Sequence, residues 1–335
     1  MTNSPQRIVV AIPAHNEADR IGRCLDALAA QSSHEQFSII VLANNCSDLT
    51  AKVAMRERGL NIRVTECDLP MEHRSAGHAR RIVMQDAAKL GEIILTTDGD
   101  CVPDPDWVHS HRMIFQNGVD AVAGRVSADW NELRHHPAEA LRIGALEWEY
   151  LALIGEAEAI FDPRLHDPAP RHNQQCGANL GITGEMLHCI GGVPAMAVGE
   201  DRALFAAVES VDGRVRHAVQ PHVTASARID GRAVGGMADA LSARSSKDYR
   251  CDAQFAGADH LVQRWRTRRA VREAWIAGAA SASIDDVDIQ LDRLTPFFGT
   301  AWNRLERELF TWPAMHPDEL PGEIARLQTW MTCVD

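Results

Sequence analysis

The stretch EIILTTDGD, from Glu92 to Asp100, decides the fold. Its apolar and β-branched run, Glu92–Thr97, has the composition of a strand buried on both faces, and it ends directly in Asp98-Gly99-Asp100. Upstream the same pattern recurs. Arg7–Ile12 (RIVVAI) is a continuous apolar run stopped by Pro13; Phe37–Ala43 repeats it, and Ile62–Glu66 is a shorter version. Between these runs the apolar period changes to that of a helix. Ile21, Cys24, Leu25 and Leu28 form one helical stripe, Leu49–Arg58 is a second helix, and Ala79, Ile82, Val83, Ala87 and Leu90 form a third stripe starting near Ser75. Strand and helix thus alternate through the first hundred residues, which predicts an α/β fold: a mostly parallel sheet flanked by helices, with ligands at the carboxyl ends of the strands.

Further along the alternation weakens. Glu139–Ile160 is expected to be helical, Asp162–Asn173 a loop rich in Pro and His, Gln175–Thr183 a strand, Glu200–Glu209 a helix and Arg214–Thr224 a strand. From about Ile229 the text is helical and charged, including Arg264–Ala279 and Phe297–Phe310. The expected division is a first domain over 1–228, in two halves over about 1–126 and 127–228, followed by a helical C-terminal extension over 229–335. There is no internal repeat and no low-complexity tract.

Composition narrows the function. The chain has 335 residues, 45% of them apolar and 24% charged, as in globular proteins with a substantial core. A net charge of −12 disfavours nucleic acid as a partner. The eight cysteines form no C-x-x-C pair, so reduced, mostly buried thiols are expected. Met1–Arg7 is polar with no signal-peptide core, and Ile143–Phe161 is broken by Glu147, Glu149, Glu156 and Glu158; no membrane span is expected, and the location is read as cytoplasmic. The basic stretch Arg264–Arg272 permits peripheral membrane contact, but a solvated helix face is the favoured explanation.

Four polar segments stand at strand tips or helix starts. In Pro13-Ala14-His15-Asn16-Glu17, a turn whose Asn and Glu side chains can bond a nucleoside replaces the glycine-rich loops of dinucleotide and P-loop sites; as ordinary structure it is a helix start capped by Asn16. Asn44-Asn45-Cys46-Ser47-Asp48 can read a base or simply turn. Asp98-Gly99-Asp100 concentrates negative charge on open backbone, as hard cations require, and is otherwise a solvated turn. In Gly199-Glu200-Asp201 the carboxylates suit a helix N-terminus or a general base. Among fifteen histidines, His109/His111 and His135/His136 have spacings that do not converge on one helix face, and they are expected at the surface.

The succession P-A-H-N-E, N-N-C-S-D-L-T, A-R-R, D-G-D-C-V-P-D-P-D-W, C-G-A-N-L-G-I-T and G-E-D-R-A-L resembles glycosyltransferase family 2 over about residues 7–230. That resemblance implies the GT-A fold and transfer of a sugar from a nucleotide diphosphate, usually UDP, with Mn²⁺ or Mg²⁺. It implies that Pro13, Ala14, Asn16 and Glu17 border the nucleotide, with Asn44 standing where the family commonly has a base-contacting aspartate. Arg74 or Arg80 would approach the diphosphate, Asp98 with Gly99 would face the ribose and metal, and Asp100 would ligate the metal. His222 would be a third ligand. Gly177, Ala178 and Asn179 would border sugar and acceptor, and Asp201, with Glu200 beside it, would be catalytic. Arg228 and Arg232 would either fold over the phosphates or lie at the surface. The Q-x-x-R-W of processive members is absent, as are the basic glycine-rich loop of sugar-nucleotide pyrophosphorylases and the early Asp pair of haloacid-dehalogenase phosphatases. A catalytically silent sugar-nucleotide-binding scaffold remains the alternative to an inverting transferase.

Overall fold

The computed structural model describes residues 6–32, 36–56, 58–232, 235–284 and 287–333. Most of the expected polar start, residues 1–5, and Glu57 of the expected helix 49–58 lie outside them. The chain divides into two compact units, Met1–His135 with Gln174–Val208 and Val215–Ala240, and His136–Asn173 with Glu209–Arg214 and Leu241–Asp335.

The first unit is built on eight strands: β1 (Ile8–Ala14), β2 (Phe37–Asn44), β3 (Asn61–Cys67), β4 (Ile93–Thr96), β5 (Val102–Pro103), β6 (Ala121–Ala128), β7 (Leu180–Thr183) and β8 (Val215–Ala225). They form one sheet in the order β3-β2-β1-β4-β7-β6-β8-β5. The pairs β3/β2, β2/β1, β1/β4 and β6/β8 are parallel, whereas β7 runs antiparallel to both β4 and β6, and β5 antiparallel to β8. The expected mostly parallel sheet is therefore present, flanked by helices. Alternation along β1 shows why the run is apolar throughout. Ile8, Val10 and Ile12 pack on one face with Ile21, Leu25, Leu28 and Trp107. Val9 and Ala11 pack on the other with Ala79, Val83, Leu204 and Phe205.

Several elements are shorter than their sequence patterns. The second helix is Thr50–Ala54, and the expected strand Gln175–Thr183 shrinks to β7. The reason for the latter is a side chain. Gln174 bonds both the amide and the carbonyl of Val126, and the backbone then turns, with Asn179 N donating to Cys176 O. Asn16 does not cap a helix: the first helix is Ile21–Ala29, with Arg20 at its N-cap, and Asn16 takes the left-handed φ of 54°.

His111 is not at the surface. It is fully buried, its imidazole pushed down to about 4 by burial, with Asn179 bonding opposing that shift. Asn179 is itself wholly enclosed. Its Oδ1 accepts from Trp107 Nε1 at 2.8 Å and pairs with His111 Nε2 at 3.1 Å, and its Nδ2 donates to the carbonyls of Arg125 and Pro221, both at 2.9 Å. An amide side chain has two donors and one two-lone-pair acceptor, so its capacity is spent on the core. Asn179 thus braces β6, β7 and β8 and has no group left for sugar or acceptor.

In the second unit the helix Ala138–Phe161 packs Tyr150, Ile154 and Phe161 against Phe255, Trp265, Leu320 and Leu327. This apolar pairing groups 136–173 with the C-terminal residues, so the expected division at 228 does not follow the compact units. The extension is not wholly helical. Between the helices Ala258–Ile276 and Phe298–Leu309 lies an antiparallel strand pair, β9 (Ser281–Ile284) and β10 (Val287–Gln290), and the helix Leu320–Thr332 follows. His136, expected at the surface, is buried, while His135 and His109 are exposed. The basic run is spoken for internally: Arg264 pairs with Glu306, Arg268 with Glu158 and Asp162, Arg269 with Glu273, and Arg272 with Asp162. Arg266 lies over the rings of Phe161 and Trp330. No described helix is long and apolar enough to cross a membrane. All eight cysteines are free, but only Cys24, Cys101 and Cys251 are fully buried, and Cys189 and Cys333 are exposed.

Asn179→Ala strips partners from a buried indole N–H, a buried imidazole and two carbonyls. It is expected to cost about 2–4 kcal/mol of stability, read as a lowered urea midpoint.

Candidate functional site

Register brings the polar segments together. β1 and β4 run parallel with Ala11 opposite Thr96, so the turns after both strands emerge at the same edge. Gly99 lies against Ala14 and Glu17, where an added Cβ would stand 3.4 Å from Ala14 Cβ. β7 runs antiparallel to β4 with Leu180 opposite Thr96, which carries the preceding Gly177 and Ala178 to the Asp98 end of the sheet.

The tips of β1, β2 and β3 are tied by asparagines. Asn16 Oδ1 accepts from Ser47 N at 2.8 Å. Asn45, at φ 50°, bonds Leu69 through both ends of its amide. The left-handed φ values suit Asn, whose short polar side chain bonds locally. His15 Nδ1 bonds Asn44 O at 2.8 Å; the side chain of Asn44 is buried. Asp48 accepts from Ala18 N and from the amide and hydroxyl of Thr50, whose hydroxyl accepts from Glu17 N.

Two arginines organise the carboxylates. Arg80 is buried on the helix Ala76–Ala88; its Nη2 lies 2.5 Å from Asp98 Oδ1 and its Nη1 bonds Glu200 Oε1. Its slot exists because position 177 lacks a side chain: a Cβ on Gly177 would stand 2.4 Å from the guanidinium carbon. Burial pulls its pKa down, but the charges of Asp98 and Glu200 more than reverse that, so Arg80 stays charged. Glu200, at the first turn of the helix Glu200–Ser210, is raised by burial, with Arg80 opposing. Asp201 Oδ2 accepts from Gly177 N at 2.9 Å and its Oδ1 from Arg202 N at 2.8 Å. Arg74, by contrast, is exposed at the end of the short turn Met71–His73, so of the pair Arg74 and Arg80 only Arg80 meets Asp98.

The second arginine is Arg228, in the segment after β8. It grips both oxygens of Glu17, with Nη1 at 2.8 Å from Oε2, while Nη2 lies 3.1 Å from Asp100 Oδ2. Glu132 holds that segment in place, accepting from Ser226 Oγ at 2.7 Å, Ala227 N at 2.9 Å and Arg20 at 2.6 Å. Sequence reasoning left Arg228 open and missed Glu132. No local pattern reveals contacts made across 211 or 95 residues.

Asp98, Asp100 and Cys101 offer ligand atoms all within 4.8 Å of one another. The two carboxylates fit a hard divalent cation. The Cys101 thiol is driven well above its ordinary range by burial and by the neighbouring Asp100 and Asp98 charges, so the donors suited to such an ion are the oxygens. His222 does not join this group: its Nδ1 lies 2.9 Å from Asp104 Oδ2 and its Nε2 2.9 Å from Ser127 Oγ. Asp100 is pushed up to about 7, first by burial and then by the charges of Asp98 and Glu17, with Arg228 opposing.

A carboxyl raised in the folded state costs stability once it ionises. For Asp100 that cost is absent below its ordinary 3.8 and complete above about 7. Asp100→Asn, without added metal, is therefore expected to match the wild type near pH 4 and to exceed it by about 2–4 kcal/mol at pH 8. Denaturant titrations across that range measure the difference.

Comparison with known proteins agrees with this architecture. Residues 9–162 match Glycosyl transferase family 2. Glycosyltransferase AglE of Haloferax volcanii is 29% identical over 130 residues, which span 38% of this chain and 41% of that relative. The crystal structure of residues 1–349 of TarS from S. aureus in complex with UDP-GlcNAc superposes with a TM-score of 0.50 at 14% identity, covering 84% of this chain and 68% of that one. At that identity the likeness concerns the fold alone. The sheet is thus GT-A-like, and the matched residues 9–162, somewhat under half of the chain, are similar to Glycosyl transferase family 2.

Proposed function

We propose that this protein transfers a sugar from a nucleoside diphosphate, with UDP the favoured nucleotide, to an acceptor hydroxyl, with inversion at the anomeric carbon. The observation that carries this reading is the convergence of Asp98, Asp100 and Asp201 around Arg80 and Gly177, at the carboxyl ends of the sheet. Its two poles are a carboxylate pair suited to a cation and a separately held carboxylate suited to a base.

Asp98 and Asp100 would hold Mn²⁺ or Mg²⁺. When bound, such an ion supplies Lewis-acid stabilisation of charge on the departing nucleoside diphosphate. The chain's own groups do the rest. Arg80 fixes the Asp98 carboxylate from behind. Asp201, oriented by the Gly177 amide, takes the proton of the acceptor hydroxyl as its oxygen attacks the anomeric carbon and the bond from that carbon to the diphosphate oxygen breaks. General-base help of this kind is worth about 10²- to 10⁴-fold. Pro13, Ala14, Asn16 and Asn44 border the proposed nucleoside position, and Gly177 and Ala178 the proposed sugar position. Glu17 serves in this reading as the partner of Arg228.

Calorimetric titration of UDP with and without Mn²⁺, beside Asp100→Ala, tests the donor site. Micromolar binding that needs both the metal and Asp100 is the expected result. Failure with UDP and then with GDP, the next candidate because Asn44 replaces the usual aspartate, removes the donor assignment. Asp201→Asn is expected to lower turnover by at least about 10²-fold while sparing nucleotide affinity; unchanged turnover would take Asp201 out of the base role.

A further inference from the structure

The second arginine has a use beyond structure. Arg228 presents one guanidinium to two acids at once, with the Glu17 carboxylate gripped through both oxygens and Asp100 Oδ2 at 3.1 Å. Asp100 is one of the two carboxylates that a cation would need, and its side chain is 19% exposed. A guanidinium and a divalent ion that want the same carboxylate oxygen cannot both have it at full strength. We propose that Arg228 is an internal competitor for the metal at Asp100, and that a nucleoside diphosphate relieves the competition by offering the guanidinium its phosphate oxygens instead. The proposal rests on the donor-site reading above.

Three features make this exchange physically reasonable. The segment bearing Arg228 is anchored just before it, where Glu132 holds Ser226 and Ala227. The guanidinium can therefore move on its own side chain while its backbone stays fixed. Glu17 is a second holder, so leaving Asp100 does not strand a half-buried charge. The fork of Arg matches a diphosphate as readily as a carboxylate. Metal and nucleotide then help one another through Arg228, and such coupling is reciprocal: whatever the diphosphate does for metal affinity, the metal does equally for the diphosphate.

The test is Mn²⁺ binding to the full chain without nucleotide, followed by the loss of the free-ion electron paramagnetic resonance signal. Arg228→Gln is expected to bind Mn²⁺ about tenfold more tightly than the wild type. Arg228→Lys, which keeps the charge but not the fork, is expected to fall between them. Arg232→Gln removes the same charge from the same segment at a residue that pairs with Asp19 instead; it is expected to change affinity much less. With UDP present, Mn²⁺ affinity is expected to rise by a larger factor in the wild type than in Arg228→Gln. Equal Mn²⁺ affinity in the wild type and Arg228→Gln overturns the competition and leaves the metal site standing. Equal tightening by Arg228→Gln and Arg232→Gln also overturns it, since the cause would then be the general field. Mn²⁺ binding to none of these proteins overturns the metal site and the competition together.

Discussion

The rest of the site depends on a guanidinium buried between two acids. Arg80 sits inside the protein, with Asp98 on one side and Glu200 on the other. A buried ion pair adds little net stability, because desolvation offsets the attraction, yet removing one partner strands the other at a cost of about 3–5 kcal/mol. The value of the arrangement is therefore geometric. Asp98 follows β4, and Glu200 opens a helix about a hundred residues later; one planar fork fixes both. Lysine, a point charge on a flexible stem, could neutralise these acids but could not set their directions. Gly177 completes the constraint. Any side chain there would collide with Arg80, and its amide in turn holds Asp201. Asp98, Glu200 and Asp201 are thus referred to the same rigid point.

Sheet order is what delivers these parts. Had β7 joined the sheet in parallel, Gly177 would lie at the far end of β4 from Asp98. The antiparallel insertion, with Leu180 opposite Thr96, turns the chain so that the residues before β7 fall beside the residues after β4. The enclosed Asn179 locks that turn, using one amide to satisfy an indole, an imidazole and two carbonyls. It looks like part of a polar motif, yet it acts as a rivet.

That rivet marks the limit of what the sequence discloses. Buried strands and helical stripes are legible because burial imposes a period on neighbouring residues, so β1, β2, β4 and the helices between them follow from reading alone. Asp98-Gly99-Asp100 is legible because a strand end fixes its place. What a side chain touches across the fold has no period. Asn179 and Asp201 sit in equally polar segments, and only the packing shows that one is consumed and the other remains partly open. Arg264–Arg272 shows the same blindness: a basic run is a surface only if no acids meet it, and here Glu158, Asp162, Glu273 and Glu306 do. The helix Ala138–Phe161 was foreseeable as a helix, but not its partners.

Charge explains why so acidic a protein keeps two arginines at one edge of its sheet. A net charge of −12 repels a diphosphate at long range, although salt screens that field beyond about 8–10 Å. Close in, Glu17, Asp98, Asp100, Glu200 and Asp201 outnumber Arg80 and Arg228, so the local balance is negative as well. To serve a phosphate, Arg80 has to loosen its bonds to Asp98 and to the buried Glu200. Arg228, half-buried and doubly held, can redistribute its bonds at far lower cost. On the proposed function the remaining negative charge has a purpose. It would make the site unattractive to the diphosphate alone and attractive to a divalent ion, favouring the pair. Specificity for a metal-bound nucleotide would then come from the imbalance between carboxylates and arginines, more than from any single ligand.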